Sequence, residues 1–334
     1  MTGSMAQQRH SCTTLRLLPV TAAVFTVVLL YNTTFSRQEA PTNKIFFQSG
    51  NSSSRRGNSY VVAAAANISR FKQQLLAGMV PYFARQNTSL PGYGLEEEDW
   101  QLFKPIISCP SNRPLTKYAG EEDGSKFLCQ VDRPGQLRRD CIIYSLGSNG
   151  DFKFEQEMLS RTSCKVHTLD CTYNGTSQGQ RHAYHKWCLA SAATAAQRGP
   201  PFYSWSQVTQ KLGHNRVDIL KIDVDGYEYE IVGDWGLEYA AAADGRENAA
   251  SSLVLPHELA MEVHMMIKPK PSARPWLKTW LAKLPKDIPH TLPGMGLFFL
   301  SLAELGYGVY MMEINGGAPE CCSEVSLLRV TGSP

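Results

Sequence analysis

Apolar and polar positions along the chain follow two different periods, helical before about residue 90 and strand-like after about residue 140. Within residues 61–84, one face carries apolar residues at spacings of three and four: Ile68, Phe71, Leu75 and Met79. This spacing predicts an amphipathic helix. Residues 36–60 are polar and lack hydrophobic periodicity, which predicts a disordered linker. The folded domain is expected to begin near Trp100.

From about residue 140 onward, short apolar runs alternate with helical segments. Strands are predicted at residues 141–146, 165–169, 217–224, 259–263, 309–312 and 325–330. Helices are predicted at residues 154–160, 182–197, 207–212, 276–284 and 298–305. This alternation predicts an α/β fold with a mostly parallel sheet and helices on both faces.

The strand predicted at residues 217–224 carries charged residues among its apolar positions: Asp218, Lys221 and Asp223. Buried parallel strands are nearly continuous apolar runs, so charges there must be paired or functional. Ligands of open α/β sheets bind beyond the carboxyl ends of the strands, where Asp223 and Asp225 fall. The two acids are therefore candidates for a ligand site. A surface strand that ends in an Asp-Gly turn is the alternative.

The N-terminal pattern is typical of a protein of the secretory pathway. Residues 1–16 contain basic side chains and no acid, and an apolar run begins at Leu17. We expect an uncleaved type II signal anchor in the Golgi or ER membrane, with the bulk of the chain in the lumen. The predicted division is a cytosolic tail (1–16), a transmembrane segment (17–35), a glycosylated stem or linker (36–100) and a folded domain (101–334). A cleaved signal peptide and a secreted product are the alternative.

Acceptor sequons and cysteines agree with this compartment. Asn-x-Ser/Thr occurs at Asn32, Asn51, Asn67, Asn87 and Asn174. Eight of the nine cysteines follow the apolar run, an even number that suits disulfides. Their connectivity cannot be read from the sequence, although Cys321 and Cys322 are expected to reach different partners. The sequence has no two matched Cys-x-x-Cys pairs, so a structural zinc site is not expected. The net charge of +3 is too small to argue for nucleic acid as a partner.

Three positions fit a nucleoside-binding sheet. The loop that begins at Gly147 directly follows a predicted strand, and glycine allows a tight turn with close approach to a ligand. Asp170 closes the next strand, 23 residues after Gly147, where an acid can bind ribose hydroxyls. Asp223 closes a third strand. Their order and spacing predict a nucleoside site.

Six segments together carry a family resemblance: Asp123–Cys129, Cys141–Gly147, Leu212–His214, Asp218–Glu228, Glu262–His264 and Ser323–Glu324. Over roughly residues 105–330 the chain resembles S-adenosylmethionine-dependent methyltransferases of the FkbM-type and methyltransferase-like families. The resemblance implies a Rossmann-like fold with a mostly parallel seven-stranded sheet, helices on both faces and an antiparallel C-terminal strand. It also implies S-adenosyl-L-methionine as the cofactor.

The resemblance further implies roles for individual residues. Cofactor binding would fall to Gly147, Ser148 and Asn149 at the methionine part, Asp170 at the ribose and Asp223 at the strand end. Catalysis would fall to Asp223, Glu262 and His264, which border the acceptor and are candidates for a general base. No metal is expected, and Lys221 is expected to pair with an acid.

The expected function is lumenal O-methyl transfer to an unidentified acceptor, such as a glycan, a secreted protein or a small molecule. One alternative is a metal-dependent Golgi glycosyltransferase that holds an ion between Asp223 and Asp225. Another is a catalytically inactive lumenal binding module. Two departures from the family pattern favour it, because Ser145 stands where many methyltransferases have an acid and Asn149 where many have glycine.

Overall fold

The computed structural model describes residues 52–85, 97–120, 124–132, 137–243, 253–264, 292–315 and 322–330. The predicted tail, transmembrane segment and helix at residues 276–284 lie outside these ranges. Within them, no helix is both long and apolar enough to cross a membrane.

Eleven strands occur in the described residues. They are β1 (Leu115–Tyr118), β2 (Lys126–Cys129), β3 (Ile142–Leu146), β4 (Lys165–Leu169), β5 (His182–His185), β6 (Cys188–Leu189), β7 (Phe202–Tyr203), β8 (Ile219–Ile222), β9 (Glu258–His264), β10 (Tyr307–Ile314) and β11 (Cys322–Arg329). The helices are α1 (Ser52–Arg85), α2 (Lys153–Arg161), α3 (Ala192–Arg198), α4 (Trp205–Leu212), α5 (Glu228–Ala243) and α6 (Leu292–Glu304), with a 3₁₀ helix at Glu97–Phe103.

Seven strands form the central sheet in the order β10-β11-β9-β8-β3-β4-β5. Strand β11 runs antiparallel to both of its neighbours, and the other neighbouring pairs are parallel. The order reverses between β3 and β8, which places a ligand crevice at the carboxyl ends of these strands. The predicted mostly parallel sheet with an antiparallel C-terminal strand is confirmed.

Two apolar clusters cover the two faces of the sheet. In β3, Ile143 packs with α2 and the β1–β2 hairpin, while the next residue, Tyr144, packs with the cluster on the other face. That second cluster contains buried residues of α1, α4, α5 and α6. Successive strand residues point to opposite faces, so one apolar strand serves both clusters. Helices on both faces were therefore predicted correctly.

The helix predicted at residues 182–197 is wrong. Residues 182–185 form β5, which extends the sheet by pairing in parallel with β4. The helix α3 begins only at Ala192, where the Ser191 hydroxyl accepts a hydrogen bond from Thr194 N. The alanine-rich stretch does form a helix, but residues 182–185 contain a single alanine and pair with β4 instead. The sequence pattern does not reveal this pairing, because the ladder joins residues that are not neighbours in sequence.

The predicted stem and disordered linker require a correction over residues 52–85, while residues 36–51 and 86–96 lie outside the described ranges. The helix α1 spans Ser52–Arg85, and Ile68, Phe71 and Leu75 are buried in the main core. The Lys72 ammonium lies 2.9 Å from Glu304 of α6. Apolar spacing identified the helix and its face, but the packing partner is more than 200 residues away in sequence. The packed domain thus includes residues before the predicted boundary at residue 101.

Three disulfides join described cysteines: Cys109–Cys129, Cys141–Cys164 and Cys171–Cys188. Cys322 is also disulfide-bonded. The β1–β2 hairpin is fixed by the buried Arg113–Glu258 ion pair, with 2.6 Å between Nη2 and Oε2. This attachment holds Lys126 of β2 close to the carboxyl end of β8.

Candidate functional site

One cavity of about 960 Å³ lies at the carboxyl ends of the central strands. It is lined by every site residue predicted from the sequence: Gly147, Ser148, Asn149, Asp170, Asp223, Glu262 and His264. Asp225 lines it too. The fold therefore brings together residues that four different strands and loops supply. His182, His185 and His214 are absent from the described lining.

The glycine loop fits tightly against the end of β8. Gly147 has a φ of +72°, and a Cβ atom placed there would lie 1.8 Å from the carbonyl oxygen of Asp223. No side chain can occupy that space without moving the backbone. Asn149 is also left-handed, with a φ of +46°, a conformation that asparagine tolerates better than most residues. Close backbone approach thus explains the glycine, and it joins the predicted cofactor loop to the strand that carries Asp223.

The carboxylate of Asp170 organises this loop. Its Oδ2 accepts hydrogen bonds from the backbone nitrogens of Ser148 at 3.0 Å and Asn149 at 2.7 Å. Its Oδ1 accepts from Thr172 N at 2.8 Å and Tyr173 N at 3.2 Å. Burial acts to raise the pKa of Asp170, but hydrogen bonds from Thr172 and Asn149 outweigh it and lower the pKa. Ribose binding by Asp170 stays a prediction, and ribose hydroxyls would share the carboxylate with these donors.

Beyond Asp170, the cavity wall becomes apolar and aromatic. Leu169, Trp187, Leu189 and Phe202 line it together with the Cys171–Cys188 disulfide. Flat aromatic groups and a carboxylate at one end of a cleft suit a nucleoside. Sequence reasoning missed Trp187 and Phe202. The sequence pattern predicts a helix at residues 182–197, and no motif marks the strands β6 and β7 that place these rings.

At the other end of the cavity, Asp223 lies between two lysines. Its Oδ2 is 3.7 Å from Lys126 Nζ and 4.0 Å from Lys221 Nζ. The prediction that Lys221 pairs with an acid is confirmed, and Lys221 also donates a hydrogen bond to Gly147 O. Burial acts to raise the pKa of Asp223, but the Lys126 and Lys221 charges lower it. Asp223 is therefore ionised at neutral pH.

Glu262 lies on the adjacent strand β9, where it is buried. It accepts a hydrogen bond from Asn315 Nδ2 at 3.2 Å. Burial, followed by the charge of Asp223, raises the pKa of Glu262 to about 7. A carboxyl group with a pKa near the working pH can both accept and return a proton.

His264 is held by Glu228. The imidazole Nδ1 lies 3.0 Å from Glu228 Oε1, which also accepts from His264 N at 2.8 Å. The other oxygen of Glu228 accepts from Gly226 N at 2.9 Å. Burial acts to lower the pKa of His264, but the Glu228 carboxylate outweighs it, and the pKa rises to about 10. The imidazole is thus a cation at neutral pH, which disfavours its predicted role as general base.

Sequence reasoning assigned no role to Lys126 or Glu324, although both lie in segments that carry the family resemblance. Lys126 is fully buried, and its Nζ lies 2.5 Å from Glu324 Oε1. Burial acts to lower the pKa of Lys126, but Glu324 and Asp223 outweigh it and raise the pKa. Nothing in the sequence pairs two residues 198 positions apart, so only the fold shows this cluster.

The geometry does not favour a metal held by Asp223 and Asp225. The Asp223 carboxylate is already paired with two ammonium groups. The Asp225 side chain is 70% exposed and lies 3.8 Å from the His264 imidazolium. This arrangement speaks against the glycosyltransferase alternative.

Comparisons with known proteins identify the kind of domain. Residues 82–247 match the family model described as a methyltransferase domain. The chain is 28% identical to probable methyltransferase-like protein 24 of Rattus norvegicus, over 44% of this chain and 46% of the relative. It is 25% identical to the Homo sapiens protein of the same name, over 43% of this chain and 44% of the relative. The match therefore spans less than half of each relative.

Among solved structures, a fibrillarin/Nop5p complex aligns with a TM-score of 0.31 and 9% identity, covering 58% of this chain and 74% of that chain. The residues of the cavity fit S-adenosylmethionine, because the glycine loop leaves no side chain at Gly147 and Asp170 lies next to an apolar, aromatic wall. The chain carries a methyltransferase domain, for which S-adenosylmethionine is the cofactor, and it is distantly homologous to methyltransferase-like protein 24.

Proposed function

We propose that the chain transfers a methyl group from S-adenosylmethionine to an oxygen acceptor bound at the carboxylate end of the cavity. The observation that carries this proposal is the contact of Gly147 with the Asp223 carbonyl, which joins the cofactor loop to the catalytic acids. Nucleoside-binding and acid–base residues then line one continuous cavity of about 960 Å³. This volume lies near the upper end of the range for small-molecule sites, so cofactor and acceptor can share it.

Bound cofactor supplies an electrophilic methyl group on a sulfonium centre. The protein's own contribution is chiefly to position the acceptor in line with that group and to exclude water. Gly147, Ser148 and Asn149 provide the backbone that faces the cofactor, while Asp223 and Glu262 face the acceptor. The lysine pair that surrounds Asp223 fixes its carboxylate in place.

An oxygen acceptor must lose its proton during transfer. Asp223 directly follows β8, and Glu262 lies near the carboxyl end of the adjacent parallel strand β9. Both line the cavity, so the proton passes to this carboxyl pair. His264 serves a different purpose, because its Nδ1 is committed to Glu228. It places a positive charge beside the pair and keeps the strand end of β9 in register with the Asp225-Gly226 turn.

We also propose that the chain is a single-pass type II membrane protein whose domain faces the Golgi or ER lumen, with acceptors such as glycans, secreted proteins or small molecules. The apolar run at residues 17–35, the sequons and three disulfides support this placement. Asn174 is exposed and can accept a glycan. Endoglycosidase digestion of the protein from intact microsomes checks the topology, and a glycan-free, protease-sensitive domain would contradict it.

The activity is tested in two steps. Calorimetry with S-adenosylhomocysteine should show binding, and transfer of a labelled methyl group to secretory-pathway extracts should need wild-type protein. Glu262→Gln should retain S-adenosylhomocysteine binding and lose most transfer, because the carboxyl is replaced by an amide that takes no proton. Absence of S-adenosylhomocysteine binding would overturn the proposal. Binding of a nucleotide sugar with Mn²⁺ instead would support a glycosyltransferase, and cofactor binding without any transfer would indicate a binding module.

A further inference from the structure

The acceptor end of the cavity contains a second arrangement of side chains that methyl transfer does not require. Glu262, His264 and Cys322 each place a potential ligand atom within 4.8 Å of the others. All three residues are buried, with exposed fractions of 7%, 2% and 4%. Cys322 begins β11 directly opposite His264 of β9, so the sheet register fixes their proximity.

The orientation of His264 is that of a metal ligand. Histidines that bind metals commonly donate their other ring N–H to a carboxylate, which fixes the tautomer and the ring plane. Here Nδ1 lies 3.0 Å from Glu228 Oε1, and Glu228 is completely buried. The Nε2 atom faces Asp225, whose Oδ1 is 3.8 Å away. The contact between Glu228 and His264 is therefore a second observation, separate from the three potential ligand atoms, that fits metal binding by His264.

We propose that Glu262, His264 and Cys322 form a thiol-gated site for a zinc-like divalent cation. In the structure Cys322 is part of a disulfide, and a disulfide sulfur is a poor ligand compared with a thiolate. The site is therefore closed in the oxidised protein and opens on reduction. Sulfur, imidazole and carboxylate ligands together select a borderline-soft ion such as Zn²⁺ or Co²⁺ over Mg²⁺ or Ca²⁺.

The redox and binding steps balance. A dithiol reductant supplies two electrons and two protons to the Cys322 disulfide, gives two thiols and is itself oxidised to a disulfide. Metal binding then releases the thiol proton of Cys322 and the imidazole proton of His264 to solvent. Thiolate and carboxylate contribute two negative charges, which match the charge of the ion, and a fourth position remains open to the cavity.

Only the effect of the metal on methyl transfer rests on the proposed function. Glu262 cannot ligate the ion and accept the acceptor's proton at the same time, so an occupied metal site and proton transfer to Glu262 exclude each other. Metal binding itself needs neither cofactor nor acceptor. Its failure and the failure of methyl transfer can therefore be told apart.

Co²⁺ titration of the full chain tests the site, because thiolate-bound Co²⁺ has a sulfur-to-metal charge-transfer band. The oxidised protein should show no such band, and the protein treated with a mild dithiol should bind about one Co²⁺ per chain with the band present. Cys322→Ser should lose the band. Glu228→Gln should keep it but weaken Co²⁺ affinity by about 10–100-fold, the usual effect of losing the carboxylate behind a histidine ligand.

A matched control is available in the same cavity. The Cys171–Cys188 disulfide also lines it but lies outside the cluster, so a Cys171→Ser/Cys188→Ser variant should retain the Co²⁺ band after reduction. Far-UV circular dichroism of each reduced variant checks that the domain is still folded. Either of two results would overturn the proposal: a reduced, folded wild-type protein without the band, or a band that survives Cys322→Ser.

Discussion

The buried carboxylate of Glu228 contacts both the ring and the backbone of His264, 36 residues further along the chain, with 3.0 Å to Nδ1 and 2.8 Å to the backbone nitrogen. Its second oxygen accepts a hydrogen bond from Gly226 N. One side chain at the start of α5 thereby joins the turn after β8 to the end of β9. The two strands that supply Asp223 and Glu262 are held in register by this contact.

Glu228→Gln should lower the pKa of His264 from about 10 by roughly one unit or more, since an adjacent opposite charge typically shifts a pKa by about 1–3 units. The pKa is measured by NMR titration of the imidazole. Glu230→Gln is the control, because Glu230 lies on the same helix but bonds Ser191. An unchanged His264 pKa in Glu228→Gln would show that another group holds the charge.

The same pair makes stability depend on pH in a defined direction. The folded pKa of His264 is raised above the value of about 6.5 for an unfolded histidine. Its stabilising contribution is therefore complete below about pH 6.5 and is lost as the pH rises towards about 10. Urea unfolding of wild type should show this loss between pH 7 and 10, and Glu228→Gln should show a flatter profile. Parallel profiles for the two proteins would contradict it.

Gly147→Ala should impair both stability and cofactor binding. The new Cβ would lie 1.8 Å from Asp223 O, so the loop or the end of β8 has to move. Gly213→Ala is the matched control, because Gly213 has a similar φ of +68° but no atom within 4 Å of its Cβ position. The control should lose only about 1–2 kcal/mol from the left-handed conformation. Thermal denaturation with and without S-adenosylhomocysteine measures both effects, and equal losses in the two variants would contradict the contact.

Asp170→Asn should weaken S-adenosylhomocysteine binding by at least about tenfold, or about 1.4 kcal/mol. The amide removes an acceptor oxygen that backbone donors of Ser148, Asn149 and Thr172 use. Thr172→Val removes a single hydroxyl donor, at 2.7 Å, and should have a smaller effect. Calorimetry provides the measurement. An Asp170→Asn protein with wild-type affinity would mean that neither loop order nor ribose binding needs the charge.

Phe71→Ala should destabilise the domain by about 3–5 kcal/mol, because it leaves a cavity in a packed core. Phe71 lies on α1 and is 4% exposed. Gln73→Ala, on the exposed face of the same helix, should change stability by no more than about 0.5 kcal/mol. Chemical denaturation of the two variants distinguishes a packed helix from an independent stem, for which both substitutions would have equally small effects.

The sequence by itself determined the strands β3, β4, β8 and β9, the glycine turn and the acids that follow the strands. These features are local, because an apolar run, a glycine after a strand and an acid at a strand end can each be recognised within a short stretch of sequence. Because the carboxyl ends of parallel strands meet at one edge, the composition of the site followed from strand order.

Only the tertiary structure decided the charges and partners of those acids. Lys126 approaches Asp223 from a hairpin attached through Glu258, and Glu228 reaches His264 across two strands. It also decided that α1 belongs to the core and that residues 182–185 form a strand. Such contacts join residues far apart in sequence, and their energies depend on burial and distance. No local pattern records either quantity.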